Sequence, residues 1–137
     1  MKRVVYTPGV WDLIHVGHLN IIKTAKRCGD FLIVGVCSDD LVKLHKGKLP
    51  TINEHNRSEM IRSIRYVDDV FVYTDADQTT QLKLFQPDIF VIGEEFGRQG
   101  VPEHELAITY ATNNGITIKR VDRLCGVSTT HIKNSIS

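Results

Sequence analysis

The chain is short of most features that would mark a specialised class. It has three cysteines in 137 residues, and Cys28, Cys37 and Cys125 form no CxxC pair. An odd, scattered set excludes a disulfide framework and points to a reducing, cytoplasmic setting. Charge of one sign is lacking as well. Seventeen Lys and Arg offset sixteen Asp and Glu, so no general attraction to nucleic acid or to an anionic membrane is expected. No apolar run approaches the roughly 20 residues that span a bilayer, which speaks against membrane insertion. The N-terminus enters a strand without a signal-peptide pattern. Four prolines are too few for a proline-rich linker, and no repeat or low-complexity tract divides the chain. What remains is the length of one ordinary domain over residues 1–137, enough for a single core without metal or disulfide staples.

What is present is an alternation of strands and helices. Arg3-Val4-Val5-Tyr6 reads as a buried strand, and Thr7-Pro8-Gly9 as the turn that ends it. Asp12 stands where a carboxylate caps a helix well. Leu19, Ile21, Ile22 and Ala25 recur at helical spacing, and Gly29 stops that helix. Phe31 to Cys37 is a continuous apolar run, as in a parallel strand covered on both faces. Strand, turn, helix and strand make a βαβ unit. Helices then follow over 54–66, from Gln78 to Phe85, from Pro102 to Asn113-Asn114-Gly115, and from Ser128 onward. Strands are expected at Val70–Tyr73, Asp88–Ile92 and Ile116–Lys119. Five strands with crossover helices predict an α/β fold with a doubly wound parallel sheet. The polar segment 39–57 reads as one long connection, and such connections are often functional.

The chemistry concentrates at His15-Val16-Gly17-His18. Two imidazoles spaced i, i+3 share one face of the first helical turn. That helix end also offers free N–H groups and the positive end of the dipole, which suits a phosphate-bearing ligand. Gly17 leaves room for a phosphate to approach the backbone. Imidazolium groups there would stabilise charge during displacement at phosphorus. No third ligand stands nearby for a metal. Ligands of such sheets bind beyond the carboxyl ends of the strands, where the histidines would lie.

Other groups are candidates for the same anion. Lys46 and Lys48 flank Gly47 in the long connection and would close over a triphosphate. Arg123 precedes Gly126 and the hydroxyls of Ser128, Thr129 and Thr130, a pattern that caps a helix, holds phosphate, or does both. Arg57 and Arg65 are set at an anionic ligand or a subunit contact. Glu94 and Glu95 follow a buried strand at the ligand edge, where carboxylates hold Mg²⁺, a base or a ribose. His45, His55, His104 and His131 read as surface residues, and Cys125 as a small filler.

The stretch Gly9-Val10-Trp11-Asp12-Leu13-Ile14-His15-Val16-Gly17-His18 resembles the HxGH signature of the cytidylyltransferase branch of nucleotidyltransferases. Ile64-Arg65-Tyr66-Val67-Asp68-Asp69-Val70 resembles that branch's RYVDEV segment, and Gly126 to Lys133 resembles its GISTTKIK segment. The compact length is similar to that of bacterial glycerol-3-phosphate cytidylyltransferases. This resemblance implies a Rossmann-like fold, a homodimer, and use of CTP with Mg²⁺, the metal being carried by the CTP phosphates. The implied reaction joins CMP to a small phospho-alcohol, with glycerol 3-phosphate foremost, and releases pyrophosphate. It implies that His15, His18, Lys46 and Arg123 act on the phosphates. It implies nucleotide contacts for Gly9, Val10, Trp11, Gly17, Lys48, Glu95, Ser128 and Thr129. Asp12, Asp39, Arg57 and Arg65 would lie near the acceptor or the dimer interface. Alternatives of the same fold are another phospho-alcohol, a phosphonate, or ATP as the donor.

Overall fold

Apolar side chains run almost unbroken through the first two strands, and such strands need cover on both faces. The computed structural model describes residues 2–122 and shows how the cover is supplied. Strands β1 (Val4–Gly9), β2 (Phe31–Cys37), β3 (Asp69–Tyr73), β4 (Ile89–Gly93) and β5 (Thr117–Val121) alternate with helices α1 (Val16–Arg27), α2 (Asp39–Lys46), α3 (Glu54–Arg62), α4 (Thr79–Phe85) and α5 (Pro102–Asn113). The strands form one sheet in the order β3-β2-β1-β4-β5, and neighbours run parallel. This is the doubly wound α/β fold expected from the sequence.

Period-2 alternation sorts the core into two layers. Val5, Leu32, Val34, Ile89 and Val91 face Ile22 and Ala25 of α1 and Ile61 of α3. Tyr6, Ile33, Phe90 and Ile92 face Leu82 of α4 and Ala107 and Ala111 of α5. A third cluster joins Cys37 and Tyr73 to Leu41 and Val42 of α2. Fully buried side chains such as Ile22, Leu32, Ile61 and Phe90 each contribute about 1.5–3 kcal/mol.

Four local expectations are corrected. Residues Thr7-Pro8-Gly9 continue β1 instead of ending it, paired with β2 through Gly9↔Val36. Proline is tolerated because β1 pairs with β4 only at Val5 and Tyr6, so one flank of the strand is already open at Pro8. Helix α1 is capped by His15 and not by Asp12. The segment 39–57 is not one connection. It contains α2, capped by the Ser38 hydroxyl, with Asp39 and Asp40 in its first turn, Lys43 and Lys46 in its last, and Gly47 at φ 77° closing it, as the helix dipole and the left-handed cap favour. Finally, α3 stops at Arg62 and not near 66, because Ile64, Tyr66 and Val67 turn inward onto the first core layer.

Gly35 tests the packing of the sheet centre. A β-carbon there would lie 2.5 Å from the Tyr6 hydroxyl oxygen, and Tyr6 is fully buried. Gly35→Ala is expected to cost about 1–3 kcal/mol through overpacking, read from the urea unfolding midpoint. An unchanged midpoint would show that the Tyr6 ring is not confined.

Candidate active site

The order of strands reverses between β1 and β4, and crevices of doubly wound sheets open at that point. The main-chain ladder between these strands is recorded only at Val5 and Tyr6. Beyond it, the Thr7 hydroxyl donates to the Val91 carbonyl at 3.0 Å, standing in for a ladder bond. The carboxyl ends then separate, and a cavity of about 500 Å³ lies there, bordered by Gly9, Val10, Ile92 and Gly93.

The turn leaving β1 is strained. Trp11 and Leu13 take φ of 57° and 52°, a region that costs a non-glycine residue about 1–2 kcal/mol. Burial of the Trp11 indole and its N–H bond to the Gly35 carbonyl, 2.8 Å, hold the turn. The indole also lies over Gly9, where a β-carbon would meet it at 2.7 Å. Glycine at that position therefore accommodates Trp11. Arg57 supports the turn from outside. Its guanidinium is fully buried and donates to Val10 O at 2.6 Å, Ile52 O at 2.8 Å and Asp39 Oδ1 at 2.7 Å. Asp12 accepts from the N–H groups of Thr51 and Ile52 at 2.8 and 2.9 Å. Asp12, Asp39 and Arg57 thus knit the β1–α1 turn to the start of α3.

His15 and His18 meet as expected, with ring centroids 4.1 Å apart. Their bonds are reciprocal. The Gly17 N–H donates to His15 Nδ1 at 3.0 Å, and the His15 N–H donates to His18 Nδ1 at 3.1 Å. A nitrogen that accepts carries no hydrogen, so each neutral ring bears its proton on Nε2. An imidazolium, protonated on both nitrogens, would forfeit these bonds. The geometry therefore fixes the tautomer, with Nε2–H as the outward donor of each neutral ring, and it corrects one expectation: the Gly17 amide is engaged by His15 instead of being free for an anion.

Lys46 ends α2 and borders the cavity. Lys48 is exposed just beyond. Glu95 is exposed, while Glu94 pairs with Arg98 at 3.0 Å. Arg65 stands four residues before β3, at the amino edge of the sheet and away from the histidines, and bonds the Tyr66 hydroxyl at 2.8 Å. Asp68 of the same segment anchors that edge, accepting from Lys26 Nζ at 2.6 Å and from the Leu32 N–H at 2.8 Å. Arg123, Cys125, Ser128 and Thr129 lie outside the described residues.

The floor and far wall of the cavity involve residues the sequence did not single out. Beneath the floor, the Tyr6 hydroxyl donates to Gln78 Oε1 at 2.6 Å, and Gln81 Nε2 donates to the same oxygen at 3.0 Å. Burial pushes the Tyr6 and Tyr73 hydroxyls well above the usual phenol range and the Cys37 thiol up as well, so the floor is neutral. On the far wall, His104 stacks on Phe96 with centroids 3.9 Å apart and accepts the Gly97 N–H on Nδ1 at 3.1 Å. Burial pushes its imidazole down, opposed by Glu103 and helped by His45. The reading of His104 as a plain surface residue is corrected, since it is half-buried against the cavity, whereas His45 is exposed as expected, at the cavity rim. Phe96 and His104 meet because the loop between them turns at Gly97 and Gly100, with φ of 81° and 71°. Arg120 ties the start of that loop, donating to the Phe96 carbonyl at 2.7 Å.

Comparison with known proteins bears on this geometry. The cytidylyltransferase-like family model matches residues 6–135. The chain belongs to the cytidylyltransferase-like family. Among curated relatives, the bifunctional protein HldE of Campylobacter fetus is 32% identical over 136 residues, covering 98% of this chain and 28% of its own length. FAD synthase of Pyrococcus abyssi is 41% identical over 92 residues, 66% of this chain and 62% of its own. FAD synthase of Thermococcus kodakarensis is 35% identical over 80% of this chain and 81% of its own. The chain thus spans less than a third of HldE. A solved structure from Thermoplasma volcanium, described as a lipopolysaccharide core biosynthesis protein, shares 30% identity with a TM-score of 0.71, covering 90% of this chain and 97% of that one. These relatives are nucleotidyltransferase kin named HldE and FAD synthase, so the family stands at this coarser level, short of glycerol-3-phosphate cytidylyltransferase. Among the described residues no helix is long and apolar enough to cross a membrane.

Removing the Arg57 guanidinium leaves the Val10 carbonyl and Asp39 without their donor. Arg57→Met is expected to cost about 3 kcal/mol, measured by chemical denaturation. A loss below about 1 kcal/mol, the range of exposed pairs, would show that the buried guanidinium does not hold the turn.

Proposed function

We propose that this member of the family transfers CMP from the Mg²⁺ complex of CTP to a small phosphate monoester, releasing pyrophosphate. The observation that carries the reading is the locked histidine pair at the start of α1, on the turn that leaves β1 where Gly9 and Val10 border a cavity at the sheet's reversal point. A phosphate oxygen of the acceptor attacks the α-phosphorus. The new P–O bond forms as the bond between the α-phosphorus and the bridging oxygen breaks, and the electron pair leaves with pyrophosphate. No covalent enzyme intermediate is required. The Nε2–H groups of His15 and His18 donate to the phosphate oxygens as charge builds, an effect favoured by preorganised donors in a partly dry site. Lys46 and Lys48 balance triphosphate charge, and Arg123, Ser128 and Thr129 contact the nucleotide. Mg²⁺ would enter as part of the nucleotide substrate, carried by the CTP phosphates. The Arg65–Asp68 and Ser128–Thr130 motifs support the cytidylyl reading, and Arg65, exposed at the amino edge, suits a homodimer contact.

A second reading takes ATP as donor. It is favoured by the FAD synthase relatives, because FAD contains an adenylate. Pyrophosphate release with CTP and with ATP, crossed against glycerol 3-phosphate, other phospho-alcohols and phosphonates, separates the two. Turnover with CTP supports the first, and turnover confined to ATP replaces it.

His15→Asn keeps an oxygen able to cap α1 and removes Nε2. His18→Ala removes the second donor. Each is expected to lower turnover by about 10²-fold, as loss of a preorganised donor does, with the thermal midpoint of His15→Asn nearly kept. Wild-type turnover in either variant would remove the histidines from the chemistry.

A further inference from the structure

The cavity bordered by Gly9 and Val10 is also lined by Gln78 and His104, each with an N–H donor whose direction is fixed from behind. The first belongs to Gln78, nearly fully buried at the cavity floor. Gln81 Nε2 donates to the main-chain carbonyl of Asp75 at 3.3 Å and to Gln78 Oε1 at 3.0 Å. A carbonyl only accepts, so nitrogen must be the Gln81 atom at that position, and the Gln78 atom facing it must be oxygen. The Tyr6 hydroxyl occupies the other lone pair of that oxygen at 2.6 Å. Both acceptor positions of Gln78 are therefore used, and its NH₂ group is the end left to the cavity and to the neighbouring Tyr73 hydroxyl. The second donor is His104. Its Nδ1 accepts from Gly97, which puts the hydrogen on Nε2, and stacking on Phe96 fixes the ring.

Much of the remaining lining is apolar, with Val10, Leu41, Val42, Ala76, Ile92 and Val101 contributing. The Lys46 ammonium and the His45 imidazole border the cavity, and one carboxylate borders it at Glu103. An apolar cavity with two fixed donors suits oxygen acceptors, because a buried donor left unpaired costs as much as a lost hydrogen bond. It does not suit an ammonium group, which only donates.

We propose that Gln78 and His104 determine acceptor specificity by reading the uncharged, oxygen-bearing body of the acceptor, whose phosphate lies toward Lys46. This rests on the reading that the chain acts on a phosphate monoester. The acceptors favoured are hydroxyl- or carbonyl-bearing monoesters, and those disfavoured are amino-alcohol phosphates. An ammonium held by Glu103 is the competing possibility.

The test uses the whole chain and three probes: glycerol 3-phosphate, ribose 5-phosphate and O-phosphoethanolamine. Binding is measured by calorimetry without nucleotide, and pyrophosphate release is followed in parallel with CTP and ATP. One of the hydroxyl-bearing probes is expected to bind about tenfold more tightly than O-phosphoethanolamine, the effect of about one well-made hydrogen bond. His104→Leu should abolish that preference, raising the KM for the acceptor while leaving kcat nearly unchanged. His104→Gln, which returns an amide N–H, should recover most of it. Gln78→Glu, which replaces the donor by an acceptor, should weaken binding in the same way, with thermal unfolding confirming the fold. Tighter or equal binding of O-phosphoethanolamine, binding of none of the probes, or a His104→Leu variant that binds like wild type would overturn the proposal. A binding preference without pyrophosphate release from any pair would overturn the reaction and leave the specificity reading standing. Release without the preference would do the reverse.

Discussion

The carboxyl edge of this sheet depends on an inequality in how β1 is paired. It runs beside β2 for its whole length but beside β4 for only two residues. Were both ladders complete, the edge would be closed by main-chain bonds and no crevice would form. Proline at position 8, which has no N–H to pair, and the Thr7 hydroxyl bond to the Val91 carbonyl end the β4 side. The histidine turn, the cavity and the ends of α2 and α5 all take their positions from that opening.

The histidine pair shows how structural and chemical roles share atoms. Each Nδ1 serves the backbone of the first helical turn, and that bond assigns the proton to Nε2. Capping and tautomer are one constraint. The same logic recurs at His104, where Gly97 takes the place of the helical amide, and at Gln78, where Tyr6 and Gln81 occupy the acceptor end. In each case a bond at the back of the side chain selects which hydrogen faces outward. Such groups need no reorganisation when a ligand arrives, which is where preorganised sites gain their strength.

The strands were legible because continuous apolar runs bounded by glycine and proline have few other solutions, and the reversal point followed from their number and order. The histidine pair was legible because spacing alone places i and i+3 on one face. The missed helix α2 carried its signals openly, with Ser38, two acidic residues, two lysines and Gly47 in the right order. Its polarity concealed it, since only Leu41 and Val42 are buried. Arg57 was expected at an anionic ligand or a subunit contact because of its charge; its partners within the chain are carbonyls and Asp39, set by folding that brings residues 10, 39, 52 and 57 together. Gln78 and His104 gave no local signal, because their significance lies in which end of each side chain is already occupied.

The two sides of the crevice are built under different constraints. The histidine side rests on a strained turn held by Trp11, Gly35 and Arg57, where almost any change disturbs the sheet centre. The far wall is a loop from Gly93 to Val101 that turns on glycines and is fastened by Arg120 at its start. A loop of this kind changes composition at little cost to the core. On the proposed reading, phosphate chemistry common to a family would belong on the first side, and recognition of the individual acceptor on the second. Phe96 and His104 occupy the side that is free to vary, whereas Gln78 is bound into the core through Tyr6. On the proposed reading the acceptor would be gripped between one donor fixed by the core and one in the first turn of α5, oriented by the loop before it, so a change of acceptor would be expected to alter His104 before Gln78.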